Sequence, residues 1–102
     1  SFPAAAAARA QVQQEPSANT TEGTGISITC SHPSIQSHQI IYWYRQLPGQ
    51  GPTFLAGVFH GSQELQSLPG RLSVAADRRS CSLWLARPRL SDAAVYCCAL
   101  GD

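Results

Sequence analysis

Apolar residues recur at every second position over several short stretches of this chain. Ile26, Ile28 and Cys30 alternate with Ser27 and Thr29, and Cys81, Leu83 and Leu85 alternate with Ser82 and Trp84. A period of two predicts strands with one buried face. Ile41 and Trp43 point one way on a further strand, while Tyr42, Tyr44 and Gln46 face the other way. Leu47-Pro48-Gly49-Gln50-Gly51-Pro52 is a turn cluster that leads into a strand over Thr53 to Val58. Leu72 and Val74 predict a short strand, and Leu90 to Ala94 a bend before the strand that holds Tyr96. Val12 to Glu15 suits an edge strand that Pro16 interrupts, because proline cannot donate to a ladder. No helical period lasts three turns. The chain is all-β.

Composition narrows the class. With 102 residues and a net charge of +1, the chain holds one domain. Every basic residue is Arg, and the arginines are scattered instead of forming a stripe, which argues against nucleic acid as a partner. Arg78-Arg79 reads as a solvated turn. Ala8-Arg9-Ala10 offers the small-x-small residues a signal peptidase accepts. Residues 1–10 are therefore expected to be the remnant of a signal peptide, and 11–102 the domain. No stretch approaches the roughly 20 apolar residues of a membrane span. Four cysteines on an exported chain suit an oxidising compartment.

Catalytic chemistry finds no foothold. The cysteines lack the two-residue gap of a metal or redox motif. His32, His38 and His60 have no acid or nucleophile at a useful spacing, and there is no phosphate loop. No enzyme activity, metal or cofactor is expected. Asn19-Thr20-Thr21 is an acceptor sequence for N-glycosylation. Arg71 and Asp92 are expected to pair and close one end of the fold.

Three features together carry a family resemblance. Trp43 follows Cys30 by thirteen positions, Tyr96 precedes Cys98 by two, and both lie in longer motifs. Trp43-Tyr44-Arg45-Gln46-Leu47-Pro48-Gly49, Asp77-Arg78-Arg79-Ser80 and Leu90-Ser91-Asp92-Ala93-Ala94-Val95-Tyr96 resemble T-cell receptor alpha or delta variable domains of the immunoglobulin superfamily. The resemblance runs from about Gln11 to the end. It implies a variable-type antiparallel β-sandwich with Greek-key connections, a Cys30–Cys98 bridge between the sheets, Trp43 packed on that bridge, and Tyr96 as a tyrosine corner. Leu83 belongs to the same core. Ending at Cys98-Ala99-Leu100-Gly101-Asp102 resembles a germline segment before joining, so the final strand is expected to be missing. The alternatives are another variable-type receptor, such as an antibody light-chain segment, or a co-receptor or adhesion domain.

The resemblance also implies where function lies. A first antigen-binding loop covers Ser34, Ile35, Gln36, Ser37, His38, Gln39 and Ile40. A second covers Val58, Phe59, His60, Gly61 and Ser62, and a third begins with Ala99, Leu100, Gly101 and Asp102. The implied ligand is a peptide on a major histocompatibility molecule, or a related antigen. Tyr44, Gln46, Pro52, Phe54 and Cys97 fall where a partner variable domain, of beta or gamma type, would pack. Cys81 shares the parity of Leu83 and is expected to be a buried, quiet thiol. Signalling subunits would act through regions outside this chain, and the expected location is the outer side of the plasma membrane.

Overall fold

The structure is a computed structural model that describes residues 11–102, so the leader reading for 1–10 lies outside the described residues. Among the described residues eight strands form, in the order β1 (Gln13–Gln14), β2 (Ile26–Ser31), β3 (Ile40–Gln46), β4 (Pro52–Val58), β5 (Ser62–Glu64), β6 (Gly70–Val74), β7 (Ser80–Leu85) and β8 (Val95–Gly101). A 3-10 turn at Leu90–Asp92 joins β7 to β8. Every strand pairing is antiparallel. One sheet runs β1-β2-β7-β6-β5 and the other β4-β3-β8. This is the expected all-β sandwich, and β8 pairs only with β3 among the described residues.

The alternation in the sequence explains the layers. Cys30, Leu72, Cys81, Leu83 and Leu85 face inward from one sheet, and Ile41, Trp43, Leu55, Val58 and Cys98 from the other. Trp43, Ile41, Leu72 and Leu83 are fully buried. Each such side chain contributes roughly 1.5–3 kcal/mol on burial. A disulfide joins Cys30 to Cys98 across the core, with their Cα atoms 6.5 Å apart. Gln14 adds a second link between sheets: its side-chain amide donates to the Tyr96 carbonyl at 3.0 Å and accepts from Cys98 N–H at 3.1 Å.

One expectation needs correction. Arg71 and Asp92 do not pair. Arg71 is directly opposite Glu64 on β5 and donates to its carboxylate at 2.8 Å. Asp92 instead accepts from Arg45 at 3.1 Å and from the backbone N–H of Arg89 at 2.9 Å. The reason lies in the strands: β5 brings Glu64 within reach of Arg71, while Arg45 shares the inward parity of Trp43 at the end of β3. Arg45 and Asp92 are both mostly buried, whereas Arg71 and Glu64 are more than half exposed. The inner pair is therefore the one that matters for stability. The hydroxyl of Tyr96 completes the corner by donating to the Asp92 carbonyl at 2.6 Å. The Arg89 N–H and Arg45 hold the Asp92 carboxyl below its ordinary range.

One strand, β5, lies apart from the sheet of the core tryptophan. A variable-type sandwich places both extra strands on the sheet of the core tryptophan. Here β4 does so, but β5 joins β6 on the opposite sheet. The register Gln63↔Leu72 and Glu64↔Arg71 holds it there, and Leu65 N–H continues the contact to the Gly70 carbonyl. Gly70 must be glycine, because a Cβ would run into the Trp84 carbonyl.

Candidate functional site

Two surfaces emerge, a loop end and a sheet face. At the loop end, Ser34, Gln36, Ser37 and His38 are exposed, while Ile35 tucks against the core. Phe59 and His60 lie exposed with their rings 5.5 Å apart. Gly61 has φ +80°, the left-handed turn that glycine allows. Asp102 reaches back to the first loop: its carboxylate lies 3.1 Å from His38 Nε2 and accepts from the Gln39 side chain at 3.3 Å.

Several residues expected in these loops are strand residues instead. Ile40 opens β3 opposite Gly101, and Val58 ends β4 buried in the core. Ser62 begins β5, and Ala99, Leu100 and Gly101 belong to β8. The apolar members are held in by packing, with Leu100 resting on the core cluster. Outside the strands, the expected positions are 34–39, 59–61 and Asp102.

Arg78 organises that surface, against the expectation of a solvated turn. Its guanidinium donates to the Phe59 carbonyl at 2.8 Å, and to the Gln39 and Gln36 carbonyls. It also stacks 4.1 Å from the centre of the Phe59 ring, a cation–π geometry. One side chain thus ties the first and second loops together. Its backbone has φ +60°, the left-handed region that a non-glycine residue enters at a cost. Arg79 anchors the same region by donating to the Pro33 carbonyl at 3.2 Å. Only the position of this turn between the two loops, which a sequence does not give, identifies the role.

The sheet face gathers all five residues expected there. Tyr44 sits on β3 with Phe54 opposite on β4 and Cys97 opposite on β8, and Gln46 lies between Pro52 and Val95. Phe54 and Val95 are 58% and 59% exposed, large values for apolar side chains on a flat sheet. Val95 is an addition to the expected set, and its parity with Cys97 was the available signal. Tyr44 and Phe54 meet edge to face at 5.9 Å, and Tyr42 lies 6.2 Å from Phe54. Gln46 donates to the Gln50 carbonyl at 2.7 Å, which leaves its side-chain oxygen for a partner.

The buried interior holds one polar anomaly. His32 is fully buried, and neither ring nitrogen has a hydrogen-bond partner. Its ring nitrogen and the sulfurs of Cys30 and Cys81 lie within 4.8 Å of one another. Cys30 is spent in the disulfide, so the trio does not form a ready metal site. Burial pushes the Cys81 thiol up to about 11, and the Trp43 indole N–H donates to its sulfur at 3.3 Å. Desolvation also lowers the pKa of His32 below its ordinary 6.5, helped by the nearby Arg78 charge. The unfolded chain then binds the extra proton first, so stability falls as pH drops below about 6.5. His32→Phe is expected to gain about 1–3 kcal/mol at pH 7 by removing unsatisfied polar atoms. Urea unfolding at pH 7 and at pH 5.5 checks it: the wild type weakens between them from this residue, and the variant does not.

Asn19 is exposed between β1 and β2, next to a Thr20 hydroxyl that donates to the Thr24 carbonyl at 2.8 Å. No helix among the described residues is long and apolar enough to cross a membrane.

Comparison with known proteins sets these surfaces in context. Residues 13–102 match the model of the immunoglobulin V-set domain. Human T cell receptor alpha variable 26-1 is 33% identical over 90 residues, which cover 87% of this chain and 80% of that protein. Human T cell receptor beta variable 7-2 is 36% identical over 99 residues, covering 88% and 80% respectively. A crystal structure of a chicken TCR is 68% identical with a TM-score of 0.84, covering 89% of this chain and 46% of that one.

Proposed function

This chain belongs to the immunoglobulin V-set family, as a T-cell receptor variable domain, and from that premise we propose how its two surfaces divide the work. The loop end (34–39, 59–61 and Asp102) contacts a peptide on a major histocompatibility molecule or a related antigen. The β4-β3-β8 face packs on a second variable domain. The chain spans 46% of the chicken receptor chain it resembles, and signalling subunits are proposed to act through regions outside this stretch. The proposed location is the outer side of the plasma membrane, where Asn19, being exposed, is open to glycosylation.

The observation that carries this reading is the aromatic face. Tyr44 and Phe54, flanked by Val95 and Cys97, leave apolar area in water that a partner domain would cover. The partner we propose is of beta type, or of gamma type if the chain is a delta one. Polar, adaptable side chains at the loop end suit recognition of varied ligands, and Arg78 holds the two loops in one relative position.

Sedimentation velocity of this chain mixed with a beta-type variable domain tests the pairing. Phe54→Asp should weaken association by about thirtyfold or more, the ~2 kcal/mol expected of a central anchor. Unchanged association would remove the face from the interface.

A further inference from the structure

The core contains a third sulfur in the wrong place for an inert filler. Cys81 is the direct cross-strand partner of Cys30 in the β2–β7 ladder. Directly opposed residues of antiparallel strands have Cα atoms about 4.5–5.5 Å apart, inside the ~4.4–6.8 Å range of disulfides. Cys30 is therefore within bridging range of two cysteines: Cys98 on the other sheet, to which it is bonded, and Cys81 on its own sheet. Beside them stands His32, fully buried, with both nitrogens unpartnered and a ring nitrogen within 4.8 Å of both the Cys30 and the Cys81 sulfur.

We propose that Cys81, His32 and the Cys30–Cys98 bridge form an intramolecular thiol–disulfide exchange site, with Cys81 as nucleophile, His32 as base and Cys30 as the sulfur attacked. The Cys81 thiol gives its proton to the neutral imidazole. Its sulfur then bonds to Cys30 Sγ as the Cys30–Cys98 bond breaks. The electron pair leaves on Cys98 Sγ, which takes the proton back from His32. One disulfide and one thiol enter and leave, so no oxidant or reductant is consumed. Exchange of this kind runs through the thiolate; burial holds the Cys81 thiol up at about 11 and His32 below 6.5, so the thiolate is a minor, short-lived species, and His32 is the unpartnered buried base beside it among the described residues. The Trp43 indole, which donates to Cys81 Sγ, also steadies the developing charge.

The two isomers differ in what they hold together. Cys30–Cys98 pins one sheet to the other. Cys30–Cys81 links β2 to β7 within one sheet and frees the sheets from each other. Cys98, on the inward side of β8, would then carry a buried thiol, with the exposed Cys97 next to it in sequence on the opposite face of the strand.

Alkylation of the native wild-type chain with N-ethylmaleimide, followed by non-reducing peptide mapping, tests the proposal. Trapping of the released Cys98 thiol should give a species with Cys30–Cys81 linked and Cys98 alkylated. His32→Phe should slow its appearance about a hundredfold, the size of a lost general base, while its thermal melt stays cooperative. Cys81→Ser should abolish it. Cys98→Ser refolded in a glutathione redox buffer should form the Cys30–Cys81 bridge. Should Cys98→Ser not fold, the wild-type trapping decides alone. Cys98 that stays unlabelled in the native wild type overturns the proposal. So does a Cys98-alkylated chain that persists in Cys81→Ser and vanishes in Cys97→Ser, because the exchange would then run through Cys97.

Discussion

Cys30→Ala is expected to leave a chain that does not stay folded at 37 °C. The bridge it removes spans 68 residues of sequence, and loss of such a disulfide from a small domain costs about 2–5 kcal/mol. Against a total stability of about 5–15 kcal/mol, that loss takes about a third or more of the margin. Cys30 is also the sulfur shared by both possible bridges, so its removal leaves neither. Cys98→Ser should be milder for that reason, since Cys81 is positioned to replace it. Urea denaturation of Cys30→Ala, Cys98→Ser and wild type should rank them in that order from weakest to strongest. Equal midpoints for the first two would show that Cys81 contributes nothing.

Trp43→Ala comes next. Trp43 is fully buried on β3, the central strand of its sheet, and its indole N–H has the Cys81 sulfur as its partner. Truncating a buried Trp to Ala costs about 3–5 kcal/mol, from lost transfer energy and from the cavity left between the sheets. For a domain of this size the melting temperature should fall by about 12 °C or more. Calorimetry measures it directly. A shift of a few degrees would mean that neighbours such as Ile41 and Leu72 collapse into the space.

Much of this was legible because a strand buries every second side chain. The parity of Ile26, Ile28 and Cys30, and of Cys81, Leu83 and Leu85, placed the core and the inward cysteine. The same rule carries two further signals. Arg45 shares the parity of Trp43, so an inward arginine had to find a carboxylate, and Asp92 is it. His32 shares the parity of Cys30 and had to be buried. Val58 and Leu100, apolar residues at loop margins, pack into the core and against it.

Other features could not be read. Ser62-Gln63-Glu64 has no apolar residue to mark it as a strand, so neither β5 nor the Glu64 partner of Arg71 was visible. The role of Arg78 depends on a left-handed backbone and on two loops meeting over one turn. Both are tertiary facts. The aromatic face was legible because Tyr44 and Phe54 are on the outward parity of strands whose inner side is plainly apolar.

Hydrogen exchange of the chain, alone and with a beta-type variable domain, addresses the division of surfaces most directly. Slowed exchange on binding should appear in β3, β4 and β8, around Tyr44, Phe54 and Cys97, and leave β2, β7 and β6 unchanged. Protection confined to the β2-β7-β6 sheet, or none in any strand, would contradict it.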